Sequence, residues 1–246
     1  MRVVAVTEAA SGFALISLAV TYLITVYGAL ERKRAIALAF YHQADEGADV
    51  AGFIAHHFVR GKFYALETAL RDATRDLHGL LESHVEHPVI HYFHPVEVHK
   101  GLPRVLFITL ETCAVLQSCI EDEEYPETYD HPEVRTLEAT ARYVLKQLVA
   151  TLNLEQRSRR RRTETYIEEE ERWQRRFGQT MRRLQKAGIV VRRDREAGWA
   201  DYRARRNEWE AQLHLFARYL GYDWDEVTGD HDLRTATEDE ETKIGV

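Results

Sequence analysis

Histidine is the residue type in this chain whose spacing most invites chemistry. His78, His84, His87, His91, His94 and His99 crowd into one stretch. Imidazoles hold a metal when a helix sets two of them four apart on one face, as His87 and His91 would be. Pro88 and Pro95 interrupt any such helix, no HExxH occurs and no cysteine lies near. No metal ligand set is therefore assigned. The plain expectation is a group of partly buried, hydrogen-bonded rings; the functional alternative is a proton-sensitive cluster, since free imidazole titrates near ~6.5. Cys113 and Cys119 are too few for a disulfide framework. They suit a reducing compartment, as two small buried apolar groups. The sequence offers no phosphate-cradling glycine loop, no GxSxG, no CxxC and no evident pair of carboxylates in an apolar setting. His231-Asp232 falls in an acidic tail. Nothing here makes a case for an enzyme or for a cofactor.

Two basic groups could meet a lipid surface. Arg32, Lys33 and Arg34 follow a long apolar run, and Arg159 and Arg160 lie within RSRRRR, Arg157–Arg162. The second group is followed by Glu168–Glu171. Pairs such as Arg160–Glu164 and Glu168–Arg172 would make a solvated, self-paired helix, with lipid headgroups as the functional option. The net charge of −7 excludes a general nucleic-acid binder.

The element that positions these groups is Ala9–Leu30, which contains no charged residue. About 20 apolar residues suffice for a helix to cross a bilayer. Its polar atoms are hydroxyls (Ser11, Ser17, Thr21, Tyr22, Thr25, Tyr27), which can bond back to the backbone. A cleaved signal would need a more basic leader than MRVVAVTE and a shorter core. The cluster Arg32–Arg34 follows the run and only Arg2 precedes it, so the positive-inside bias places the C-terminal portion in the cytoplasm. Thr21 and Thr25 share a face, as do Gly12 and Ile16, and small or hydroxylated faces suit packing against other helices.

The rest reads as helical, giving an all-α fold: one N-terminal transmembrane helix, then a cytoplasmic bundle ending in a helical hairpin. The first helix is expected from about Arg2 to about Gln43, leaving the membrane near Leu30. Phe53–Val59 reads as a short helical piece. Phe63–His84 has leucines at spacings of three and four, marking an amphipathic helix. Val85–Pro103 reads as a loop. Leu102–Ile120 is apolar on several sides and is read as the central core helix; Glu111 keeps it from being taken for a second span. An acidic connector, Glu121–Glu133, leads to a helix over Val134–Leu154. Gln156–Ala187 carries a thin seam (Tyr166, Trp173, Phe177, Met181, Leu184), and Ala200–Leu220 a second one. These predict a coiled-coil-like antiparallel hairpin. The expected divisions are 1–43 for the membrane helix and its continuation, 44–155 for a helical domain, 156–227 for the hairpin, and 228–246 for a disordered acidic tail.

Arg2, Val4-Ala5-Val6 and Gly12, within Arg2–Lys33, resemble the inner pore-lining helix of prokaryotic two-helix potassium channels. Leu80–Phe93 and Leu213–Trp224 look more loosely like the cytoplasmic extension of some bacterial members of that superfamily. The resemblance implies a plasma-membrane protein of a prokaryote, single-pass here, with its N-terminus outside. It also implies a hinge at Gly12, Thr21 and Thr25 toward a pore or a neighbouring subunit, and a homotetramer. The chain contains no TxGYG, the source of the carbonyl rings that replace an ion's hydration shell. The filter is expected upstream of Met1, and the polypeptide alone is expected not to conduct selectively. A monovalent cation would be a ligand only where those pore elements are supplied. The alternatives are a single-pass anchored scaffold that uses the Tyr166–Leu184 seam to hold a partner, and a soluble protein with the first helix as core.

Overall fold

The computed structural model describes residues 2–43, 50–87, 89–90, 95–154 and 166–229. Helix α1, Arg2–Gln43, is unbroken. It is followed by α2 (Val50–His56), a two-residue hairpin of β1 (Phe58–Val59) and β2 (Lys62–Phe63), and α3 (Leu66–Glu86). A 3-10 turn at Val98–Lys100 leads into α4 (Leu102–Ser118), then α5 (Pro126–Tyr129) and α6 (Pro132–Thr151). The chain ends, among the described residues, with α7 (Tyr166–Lys186), α8 (Arg195–Asn207), α9 (Glu210–Tyr219) and α10 (Trp224–Thr228). The all-α expectation holds. The forecast acidic tail and the stretch containing Arg159 and Arg160 lie outside the described residues, as do His91 and His94.

Helix α4 is the axis of the fold. Every residue from Leu102 to Ser118 is buried. It starts on a proline in its first turn, where the missing N–H costs nothing. The leucine row of α3, the Val134–Leu148 row of α6, and the seams of α7, α8 and α9 join it in one apolar cluster reaching from Ile36 to Val227. Residues 44–155 and 156–227, expected as separate units, thus share a core. The two seams pack on α4 in that same cluster. The α7–α8 connection is tied to the end of α4: Glu121 N–H donates to Val190 O (3.1 Å) and Arg192 N–H to Cys119 O (2.9 Å). Gly198 lets α8 approach that end, because a Cβ there would lie 2.8 Å from Ser118 O.

Two local expectations are corrected. Phe53–Val59 is not one helical piece. The chain turns at Arg60 and Gly61, both with positive φ, and pairs Phe58 with Phe63, the geometry a two-residue hairpin loop requires. Ala200–Leu220 is likewise two helices. Glu208 and Trp209 N–H bond back three residues, to Arg205 O and Arg206 O, a tight turn that bends the rod. No proline or glycine signals this bend. It lets one stripe, Tyr202, Arg206, Trp209, Leu213, Phe216, wrap the core while keeping its spacing of three and four.

Candidate functional site

The two halves of α1 have different surroundings. From Val3 to Thr25 the large side chains are open: Phe13 is 75% exposed and Leu23 67%. A core helix of a soluble fold would be covered there. Three hydroxyls are satisfied within the helix: Ser11 Oγ donates to Thr7 O, and Thr21 Oγ1 to Ser17 O and Thr25 Oγ1 to Thr21 O, the last two at 2.8 Å. Val3–Thr25 spans roughly 33 Å at 1.5 Å per residue, against a hydrocarbon core of about 30 Å, with one charged residue, Glu8, near its N-terminal end. α1 is the helix, among the described residues, long and apolar enough to cross a membrane.

From Val26 onward one face is covered. Val26, Ala29, Lys33, Ile36 and Ala37 are buried, at the three–four spacing of a helix stripe. They face α3, α4, α2 and the 3-10 turn. Protein contact therefore begins near Thr25, about a turn earlier than the exit expected at Leu30. Ile90 packs on Val26 and Ala29, and the His87 ring meets Tyr22 edge-on with centroids 5.8 Å apart. Between α1 and α3 lies a cleft of about 390 Å³, lined among others by Ala29, Lys33, Arg75, Asp76, Ser83 and His84.

The predicted site residues separate accordingly. Gly12 has open space where a Cβ would stand, and it, Thr21 and Thr25 lie on the uncovered half. Arg34 is exposed, as headgroup contact requires. Lys33 is not an open surface cation: it is 6% exposed and lines the cleft, because its stripe position turns it toward α3. Of Arg32 only the helical backbone is described. His84 is buried, with Nδ1 2.9 Å from Leu80 O, while His78 is exposed. Among the described residues no group of three or more His, Cys, Asp or Glu could hold a metal. Cys113 and Cys119 are buried and free; burial pushes the Cys119 thiol up to about 12, so both behave as apolar groups.

A second constellation escaped the sequence reading. Glu111 of α4 and Glu210 of α9 both meet Arg206 of α8, at 3.4 Å and 2.9 Å. Tyr202 Oη donates to Glu111, and Trp173 Nε1 donates to Glu210 (2.8 Å). Four aromatic rings surround the guanidinium: Trp173, Trp209, Tyr202 and Phe107, at 5.2 to 5.7 Å from their centroids. Burial pushes the Glu210 carboxyl up against the opposing pull of Arg206. Burial also works against the Arg206 charge, but Glu111, Glu210 and Tyr202 outweigh it and hold its pKa above the usual value. Two carboxylates do therefore share an apolar setting. They come from helices far apart in sequence, which hid them. The available signal was a charge, Arg206, in the apolar stripe between Tyr202 and Trp209. All five polar members are closed in, so the constellation fixes how α7, α8 and α9 seat on α4 and offers a substrate no way in.

No family model and no solved structure matches the chain. It is similar to "Uncharacterized membrane protein YdjJ" of Bacillus subtilis (strain 168), at 25% identity over 136 residues. That covers 55% of this chain and 39% of the relative, so the match spans about two-fifths of the relative's length. With the uncovered apolar half of α1, the similarity makes this chain a membrane protein.

Proposed function

We propose that the chain is the pore-lining helix and cytoplasmic gating domain of a potassium-channel-type assembly, with its N-terminus outside and its helical domain inside. The observation that carries this reading is the continuity of α1. One unbroken helix joins the uncovered half to the stripe Val26–Ala37 that the domain grips. A shift of the domain is then a shift of the membrane helix, the coupling that gating needs. The resemblance at Arg2–Gly12 supplies the class of protein. Ion selectivity would come from filter elements outside the described helices.

An anchored scaffold is the rival, but its suggested partner face is occupied: Trp173, Phe177, Met181 and Leu184 are buried in the protein's own core. The decisive test is assembly in the membrane. With the native cysteines buried, Thr21→Cys oxidised in membranes is expected to give cross-linked dimers, and a bifunctional amine reagent a ladder ending at four. Monomers under both treatments would reject the channel-type reading and leave the scaffold. Potassium-selective current from the purified chain alone would contradict the assignment of selectivity to other elements.

A further inference from the structure

We infer that the cleft between α1 and α3 is a binding site for the phosphate of an anionic phospholipid drawn from the surrounding bilayer. The inference rests on the reading that α1 crosses the membrane. The first ground is depth. The uncovered half of α1 ends at Thr25; at 1.5 Å per residue, Ala29 to Lys33 lies roughly 6 to 12 Å beyond it, across the headgroup layer and its water edge. α3 runs antiparallel to α1 here, since His87 meets Tyr22 while Arg75 and Asp76 share the cleft with Lys33 and Ile36. The Ala29 end of the cleft thus lies within the headgroup layer, and Lys33 and Arg75 stand at its water edge, a long side chain's reach from the lipid phosphates.

The second ground is composition. Ala29, Ala35, Ile36, Gly79 and Leu80 give apolar walls against which a lipid's glycerol and upper chain can lie. Lys33 lines the cleft at 6% exposure; burial, and then the neighbouring Arg34, lower its pKa to about 8, so a phosphate bound beside it would favour its charged form. Arg75 brings a second cation. Its pairing with Asp72 (3.1 Å) is exposed on both sides and so holds it weakly. Ser83 and His84 complete the polar rim, though Ser83 Oγ donates to Gly79 O (2.8 Å). Asp76 also lines the cleft, and its carboxylate opposes an anion. The positive-inside flank, Arg34 included, adds to the field a headgroup would meet.

The test uses the full chain purified in detergent, with retained lipid counted by native mass spectrometry after exchange against phosphatidylglycerol or phosphatidylcholine. Phosphatidylglycerol is expected to stay bound in preference to phosphatidylcholine. Arg75→Gln, on an exposed side chain that cannot compromise folding, is expected to cut that retention about five-fold, the worth of one basic residue at an anionic surface. Lys33→Gln should cut it at least as far, and Arg195→Gln, remote and exposed, should leave it unchanged. Equal retention of the two lipids, or indifference to Arg75→Gln, overturns the site. Displacement of the lipid by millimolar inorganic phosphate overturns the lipid as the source. Release of the chain from membranes by carbonate would instead bring down the membrane reading itself, an outcome the lipid exchange does not mimic.

Discussion

Helix α4 and the N-terminal half of α1 are both apolar around their circumference, yet one is covered everywhere and the other almost nowhere. In α4 even Arg104, Glu111 and Gln117 are buried, and each has a partner: Arg104 Nη1 donates to Val227 O (2.8 Å), Glu111 takes Tyr202 and Arg206, and Gln117 Nε2 donates to Glu138 (3.0 Å). In α1, between Ala9 and Thr25, the hydroxyls of Ser11, Thr21 and Thr25 donate to carbonyls of their own helix. An apolar run therefore does not say whether lipid or protein will cover it. What separates the two cases is the polar minority: groups that need a partner from elsewhere belong in a core, and groups satisfied locally can face hydrocarbon.

The contrast can be broken most forcefully at Arg206. Arg206→Ala leaves two carboxylates buried without their cation and is expected to destabilise the detergent-solubilised full chain by about 3–5 kcal/mol, read from denaturant unfolding followed by tryptophan fluorescence. Replacing the three charges together, with Glu111→Met, Arg206→Leu and Glu210→Met, should cost less than Arg206→Ala alone, since no stranded charge remains. A triple variant as unstable as the single one would contradict this account of the cluster.

A matched pair sharpens the comparison. Leu106 in α4 is fully buried, and Leu106→Ala should cost about 2–5 kcal/mol in the same assay. Leu23→Ala, in the uncovered half of α1, should leave domain unfolding unchanged and alter insertion by only about 0.5 kcal/mol. Equal effects at the two sites would show that the α1 leucine is packed against protein.

The smallest expected effect is a pH dependence. Burial lowers the pKa of His57 and of His214; neighbouring Arg218 and Arg172 add to it at His214, whose ring stacks on Trp224 at 4.8 Å. The fold favours neutral rings, and the unfolded chain takes up protons first. Stability from these groups is thus full above about 6.5, the unfolded value, and declines as pH falls through the lowered folded values. Thermal unfolding from pH 8 to pH 5 should follow that direction, and His214→Gln should flatten the slope. A midpoint that rises on acidification would contradict the assignment.

Much of the scaffold was legible in the sequence. The described helix α1 covers the expected Arg2–Gln43, as the apolar residues that continue past Leu30 to Phe40 suggest. The leucine spacing gave α3 and α6, and the density of apolar residues gave α4. The docking stripe Val26–Ala37 was not legible, since its first half lies inside a segment apolar on all sides. The hairpin at Phe58–Phe63 was hidden because Arg-Gly is not a strong turn signal. The bend at Glu208 and the Glu111–Arg206–Glu210 cluster arise only when three helices meet, so no window of sequence contains them. Lys33 shows the same limit: the run of three basic residues was visible, but only the phase of the stripe decides which of them turns toward α3.

The central claim is that α1 lies in lipid up to about Thr25 and carries the domain on one side of the membrane. The most direct measurement is labelling of single cysteines by a membrane-impermeant maleimide in sealed right-side-out vesicles, with Cys113 and Cys119 too buried to compete. Val3→Cys should react at once, Leu23→Cys only after detergent, and Arg195→Cys only once the vesicles are opened. Reaction of Leu23→Cys in sealed vesicles, or of Val3→Cys and Arg195→Cys together without opening them, would contradict it.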